Sequence, residues 1–144
     1  MEINDVINGI AIKLRDRFGY TIYVDEVPQD FETPSFLVQL VTMTNVREIG
    51  YPGSKLKWSV SPLFDIQFFS DKGRSDLFNH SLQVNLALER IQLINGDIIL
   101  STNQSSEIES DICHNFMNFN FRLTDDQLKE FMDRLDLTTN IKKV

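Results

Sequence analysis

Cys113 and His114 are the pair in this chain best able to do chemistry: a thiol beside an imidazole can serve as nucleophile and base, or as two metal ligands. Their adjacency argues against both roles. Neighbouring side chains of a strand project from opposite faces, so the two do not converge on one site. The other histidine is His80, and neither CxxC nor HxxxH spacing occurs. Cys113 therefore reads as a small core residue, and His114 as a surface or interface residue. Gly50-Tyr51-Pro52-Gly53-Ser54-Lys55 superficially resembles a phosphate loop. The Walker pattern needs four residues between its glycines, then Lys followed by Ser or Thr, and a helix after a strand. Here two residues intervene, Ser precedes Lys, and the surroundings read as a hairpin.

Glu107, Glu109 and Asp111 alternate like the start of a calcium loop, but the glycine at position six and the glutamate at position twelve are missing. They read as an exposed acidic loop. Asp125 and Asp126 fall in the first turn of an expected helix, where carboxylates favour the positive end of the dipole. The 11 Phe are better placed as core than as a stacking platform for bases, because few cations accompany them. No catalytic set, metal site or cofactor is expected.

What must position these residues is a chain of 144 residues, the length of one domain that buries roughly 70% of its unfolded surface. Its 21 acids and 14 bases leave a net charge of −7, which opposes binding to phosphate backbones and to anionic membranes. No direct nucleic-acid or membrane partner is expected. The start Met-Glu-Ile-Asn has neither a basic nor an apolar leader region, and no apolar run approaches the ~20 residues of a bilayer span. A single cysteine excludes an internal disulfide and suits a reducing cytoplasm.

Ile3, Val6, Ile7, Ile10, Leu14 and Phe18 recur at helical spacing, and Gly19 follows as a stop. Tyr20–Glu26 reads as a short strand, closed by the loop Val27–Pro34. Ser35–Thr44 and Ser59–Ser70 read as two further strands. The second of these alternates Trp58, Val60, Phe64, Ile66 and Phe68 with Ser59, Ser61, Asp65 and Gln67. Between them Asn45–Trp58 forms a long hairpin, with Tyr51-Pro52-Gly53 as its tip and no evident strand partner for its polar residues. Asp76–Asn95 returns to helical spacing through Leu77, Val84, Leu88 and Ile91, with Phe78 and Leu82 beside the stripe. Asn95-Gly96 closes it.

Asp97–Leu100 is a short strand, followed by the polar loop Ser101–Asp111. The last strand puts Cys113, Met117, Phe119, Phe121 and Leu123 on one side and His114, Asn118, Asn120 and Arg122 on the other. Thr124 and Gln127 form a capping box for a helix carrying Leu128, Phe131, Met132 and Leu135. The order predicts an α+β fold, an antiparallel β-sheet with helices packed on one face, as a single domain over residues 1–144. The other sheet face is left for neighbouring subunits.

Three phrases in fixed order carry a family resemblance. Tyr23, Glu26 and Val27 precede an acidic loop, and Pro34, Ser35 and Phe36 open the next strand. Phe64-Asp65-Ile66-Gln67-Phe68-Phe69 forms an aromatic phrase, the helix Asp76–Ile94 follows, and Cys113–Leu123 closes the pattern. In this the chain resembles the phage tail terminator family of tailed phages and phage-like bacteriocins, from Ile3 to Leu123. The segment 124–144, helix and tail, lies outside the resemblance.

The resemblance implies a small subunit that forms a hexameric ring on a finished tail tube at the head-proximal end. There the ring stops polymerisation and offers a surface for joining the head, without catalysis. The implied partners are copies of the chain itself and the tail tube protein, and beyond them sheath and neck or connector proteins, all assembled in the bacterial cytoplasm. A neck or head-completion protein, or another ring-forming tail protein, is the alternative. In a ring, the hairpin residues Arg47, Tyr51, Lys55 and Lys57 and the acidic Glu107, Glu109 and Asp111 are the expected subunit or tube contacts, the basic cluster of one subunit facing the acidic loop of the next.

Overall fold

In the computed structural model residues 3–48 and 57–124 are described. The element order is α1 (Ile3–Phe18), β1 (Thr21–Val24), β2 (Ser35–Glu48), β3 (Lys57–Phe69), α2 (Arg74–Ala87), β4 (Arg90–Gln92), β5 (Ile98–Glu109) and β6 (Ile112–Thr124). The strands form one six-stranded sheet in the order β1-β2-β3-β6-β5-β4. All neighbours are antiparallel except β1 and β2, which the Val27–Pro34 connection returns in parallel. The fold is α+β, as the order of elements predicts.

Helix α1 forms because its apolar residues fall on one stripe. Ile3, Val6, Ile7, Ile10 and Leu14 are all buried. It stops at Gly19, whose φ of 74° suits a residue without Cβ and lets its N–H donate to the Arg15 carbonyl at 2.8 Å. The period of two in β3 and β6 turns Val60, Phe64, Ile66, Phe68, Cys113, Met117, Phe119, Phe121 and Leu123 toward both helices, in one buried cluster. At ~25 cal/mol per Å² of apolar area, this cluster dominates the fold's stability.

Three expectations from the sequence are corrected. The helix expected to reach Asn95 ends at Ala87 with Leu88 as its C-cap, and Arg90–Gln92 pairs with β5 instead. Ile91 lies three residues after Leu88, so its spacing imitates another helical turn. On β4 it faces Ile99 and is just as buried. Asn95-Gly96 is accordingly the β4–β5 turn, in which the Gly96 N–H donates to the Leu93 carbonyl at 2.9 Å. Phe78 and Leu82 are exposed, while Ser81 takes a buried place on α2.

The expected polar loop Ser101–Asp111 is strand β5 down to Glu109, and the turn shrinks to Ser110-Asp111. Both turn residues have positive φ, 52° and 62°, as a type I′ hairpin turn requires. Such turns favour Asn-Gly or Asp-Gly, so Ser-Asp hides this one. The hairpin stem is also longer than its polar residues suggest: Asn45, Val46, Arg47 and Glu48 pair with Val60, Ser59, Trp58 and Lys57. A bulge at Val41 shifts the register and reverses which residues of β2 face the helices. The tip, with Tyr51 and Lys55, and the expected helix after Thr124 lie outside the described residues.

Candidate assembly surface

Neither histidine sits in a reactive set. His80 stacks on Phe68 at 4.3 Å between ring centroids, within a cluster that includes Phe18, Tyr20 and Phe36. Its Nδ1 lies 2.9 Å from the Asp76 carbonyl oxygen and its Nε2 lies 3.1 Å from the Tyr20 hydroxyl. The same Nδ1 lies 3.3 Å from Asp76 Oδ1, so its N–H points at Asp76. Cys113 is fully buried on the helix side, and burial above all pushes its thiol pKa up, which disfavours the reactive thiolate. Among the described residues no three metal-ligating side chains converge.

On the same side, Asn115 fastens α2 to the sheet. Its Oδ1 lies 2.6 Å from Ser81 Oγ and 2.9 Å from Ser106 Oγ, while its Nδ2 donates to the Ile66 carbonyl at 3.1 Å. Asn115 continues the inward parity of β6, so its burial was legible from the alternation. Its polarity masked that role in the sequence.

The opposite face has a different character. Gln67 Nε2 donates to Gln39 Oε1 at 2.8 Å and to Asp65 Oδ2 at 3.0 Å, and Gln39 Nε2 donates to the Asp25 carbonyl at 2.9 Å. His114 Nδ1 lies 2.8 Å from the same Asp65 oxygen, and its ring stacks over Phe116 at 6.0 Å. Asp65 is only 6% exposed, yet its Oδ1 has no hydrogen-bond partner among the described residues. A carboxylate oxygen in that position is unfavourable until a donor reaches it. Beside this row, Phe31, Leu37, Phe69 and Ile112 line a hollow of about 500 Å³ that also takes in Asp71 and Asp111.

The expected contact residues that are described occupy opposite ends of the sheet. Arg47 is exposed near the β2–β3 hairpin end, with its guanidinium 6.0 Å from the Trp58 ring, on the helix side. Lys57 pairs through its backbone with Thr124 at that same end. Glu107 and Glu109 pair with His114 and Ile112 near the other end and share the outer face, with Asp111 in the turn. From Ile112 to Leu123 is about 36 Å at ~3.3 Å per residue, so Arg47 does not meet the acidic groups within one chain.

Among the described residues the helices cover one side of the sheet. The family described as phage tail terminator protein matches residues 5–130. The chain belongs to the phage tail terminator family. A comparison with curated proteins finds no match. Membership makes the chain a phage tail component that interacts with other tail proteins, and it suggests a structural rather than a catalytic role. The match runs past Leu123, where the resemblance read from the residues ends, and takes in the start of the expected terminal helix.

Proposed function

We propose that the chain caps the finished tail tube as a homohexameric ring, ends tube polymerisation and presents the surface to which the head is joined. The observation that carries this reading is the one-sided sheet: α1 and α2 cover one face, and the other holds Asp65, Gln67, His114 and Phe116 half-buried or better with no element over them among the described residues. The strand edges support it as well. β1 covers β2 only along Ser35–Val38, and β4 covers β5 only along Ile98–Leu100. Two unlike free edges on opposite sides of one sheet suit head-to-tail contacts, which close into a ring when the rotation permits.

In this reading one ring face mates with the last layer of the tube and the opposite face does not reproduce it, so growth stops at the head-proximal end. The ring assembles in the bacterial cytoplasm before or on the tube. Arg47, Tyr51, Lys55 and Lys57, and Glu107, Glu109 and Asp111, are the proposed contact residues with neighbouring subunits or the tube, with Arg47 and Lys57 at one end of the sheet and the acidic residues at the other. The test is polymerisation of purified tube protein with and without this chain, read by electron microscopy and mass measurement. Tubes of limited length bearing a ring at one end are expected. Unchanged tube lengths with no bound chain overturn the reading.

A further inference from the structure

The β5–β6 turn carries Glu107, Glu109 and Asp111 on an exposed tip, flanked by half-buried Ile108 and Ile112. Among the described residues no ion pair answers that charge, and Arg47 lies at the far end of the sheet. A different cationic surface is fully described. Between α1, the end of α2 and the β4–β5 turn runs an open groove of about 760 Å³. Three large apolar side chains line it while exposed: Ile12 at 41%, Leu86 at 75% and Ile94 at 80%. Lys13, Arg17 and Arg90 also line it, against the acids Asp16 and Glu89. In a chain of net charge −7, this is a local excess of cations around an apolar floor. Side chains of that size are rarely left exposed together on a surface that stays bare.

We infer that the groove receives the acidic β5–β6 turn of a second copy of this chain. Ile112, on the same sheet face as Glu107 and Glu109, supplies the apolar contact, and Glu107, Glu109 and Asp111 face Lys13, Arg17 and Arg90. The turn and the groove are different surfaces, so the contact is heterologous and each subunit gives one and receives one around a ring. The inference rests on the ring proposed above and names which surfaces of the subunits meet. A tip in a groove is a fraction of the ~1,600 Å² of a standard interface. It therefore sets register and strengthens a ring that other contacts also hold.

The test pairs cysteines at Ile94→Cys and Ser110→Cys in the full chain, where the native Cys113 is buried and the unsubstituted protein is the control. The expected result is a disulfide-linked ladder of subunits under mild oxidation. In parallel, Lys13→Glu with Arg17→Glu should weaken subunit association roughly tenfold at low salt, the scale of a few exposed ion pairs. Adding Glu107→Lys and Glu109→Lys should restore part of that loss. Arg17, Glu107 and Glu109 are exposed and Lys13 is partly so, so thermal melts of the monomer should move little. Rings that form without the ladder and without restoration overturn the inference while leaving the ring standing. A chain that stays monomeric by mass, with and without tubes, overturns the ring and the inference together. A disulfide from Ile94→Cys to Phe131→Cys of the same chain, in place of the ladder, assigns the groove to the terminal segment and also overturns it.

Discussion

The two faces of this sheet are built from the same strands and differ in almost everything else. On the helix side Phe36, Phe64, Phe68 and Phe119 are fully buried, and the polar exception, Asn115, has partners for both ends of its amide. On the outer side the residues between them form a row of amides, an imidazole and a carboxylate, one oxygen of which lacks a partner. The first face is mostly satisfied among the described residues, although the Oδ1 atoms of Asn45 and Asn85 lack a partner there. The second is only partly satisfied, as expected of a surface completed by assembly. Alternation along β3 and β6 thus separates the packed side from the polar side at a spacing of one residue.

The comparison breaks most directly at Ile66. If the helix side alone carries stability, Ile66→Ala should cost about 2–5 kcal/mol, from lost transfer energy and the cavity left behind. Denaturant melts measure this, and a loss under about 0.5 kcal/mol would remove Ile66 from the core. Asn115→Ala tests whether the polar exception belongs to the same unit. Leaving Ser81 Oγ, Ser106 Oγ and the Ile66 carbonyl without this partner should cost about 1–3 kcal/mol in the same assay. An unchanged midpoint would mean that the amide is incidental.

The outer side should behave in the opposite way. Thr42 and Thr44 pair with Leu63 and Ser61 on that face and are exposed, so Thr42→Lys with Thr44→Lys should alter stability by no more than about 0.5 kcal/mol per site. Tube capping by the same variant should fall sharply. Full capping would show that this part of the face is not covered in the assembly.

The smallest effect concerns the hairpin cations. Lys55→Glu with Lys57→Glu should weaken assembly mildly and mainly at low salt, because exposed pairs contribute about 0.2–1 kcal/mol each. Reversing Glu107 and Glu109 in that background should not restore it, whereas the same reversal should rescue the groove variant. Restoration in the hairpin background would instead pair the acidic turn with the hairpin, as the charge pattern alone suggests.

Much of the helix-side face was legible in the residues. The stripe of α1, the stop at Gly19 and the alternation of Trp58–Phe68 and Cys113–Leu123 follow from local periodicity, which each segment carries by itself. The opposition of Cys113 and His114 follows from the same geometry. The elements that were misread depend on a partner strand. Arg90–Gln92 is too short to show a period of its own and takes its conformation from β5. Ser101–Glu109 is polar because most of it is exposed, and it is a strand because β6 lies beside it.

The sequence by itself therefore determined the class of fold, the helix-facing side of the central strands and the family pattern, since all of these reside in residue order and spacing. Only the tertiary structure decided that Val41 bulges and reverses the facing of β2, and that Asp65 is buried with an oxygen unpaired. It alone separated Arg47 from Glu107 and Glu109 by most of the length of the sheet, and placed Lys13, Arg17 and Arg90 along an apolar groove. Those facts depend on which strands become neighbours and on what each side chain meets there. A one-residue shift in register changes them while leaving the composition and the local patterns as they are.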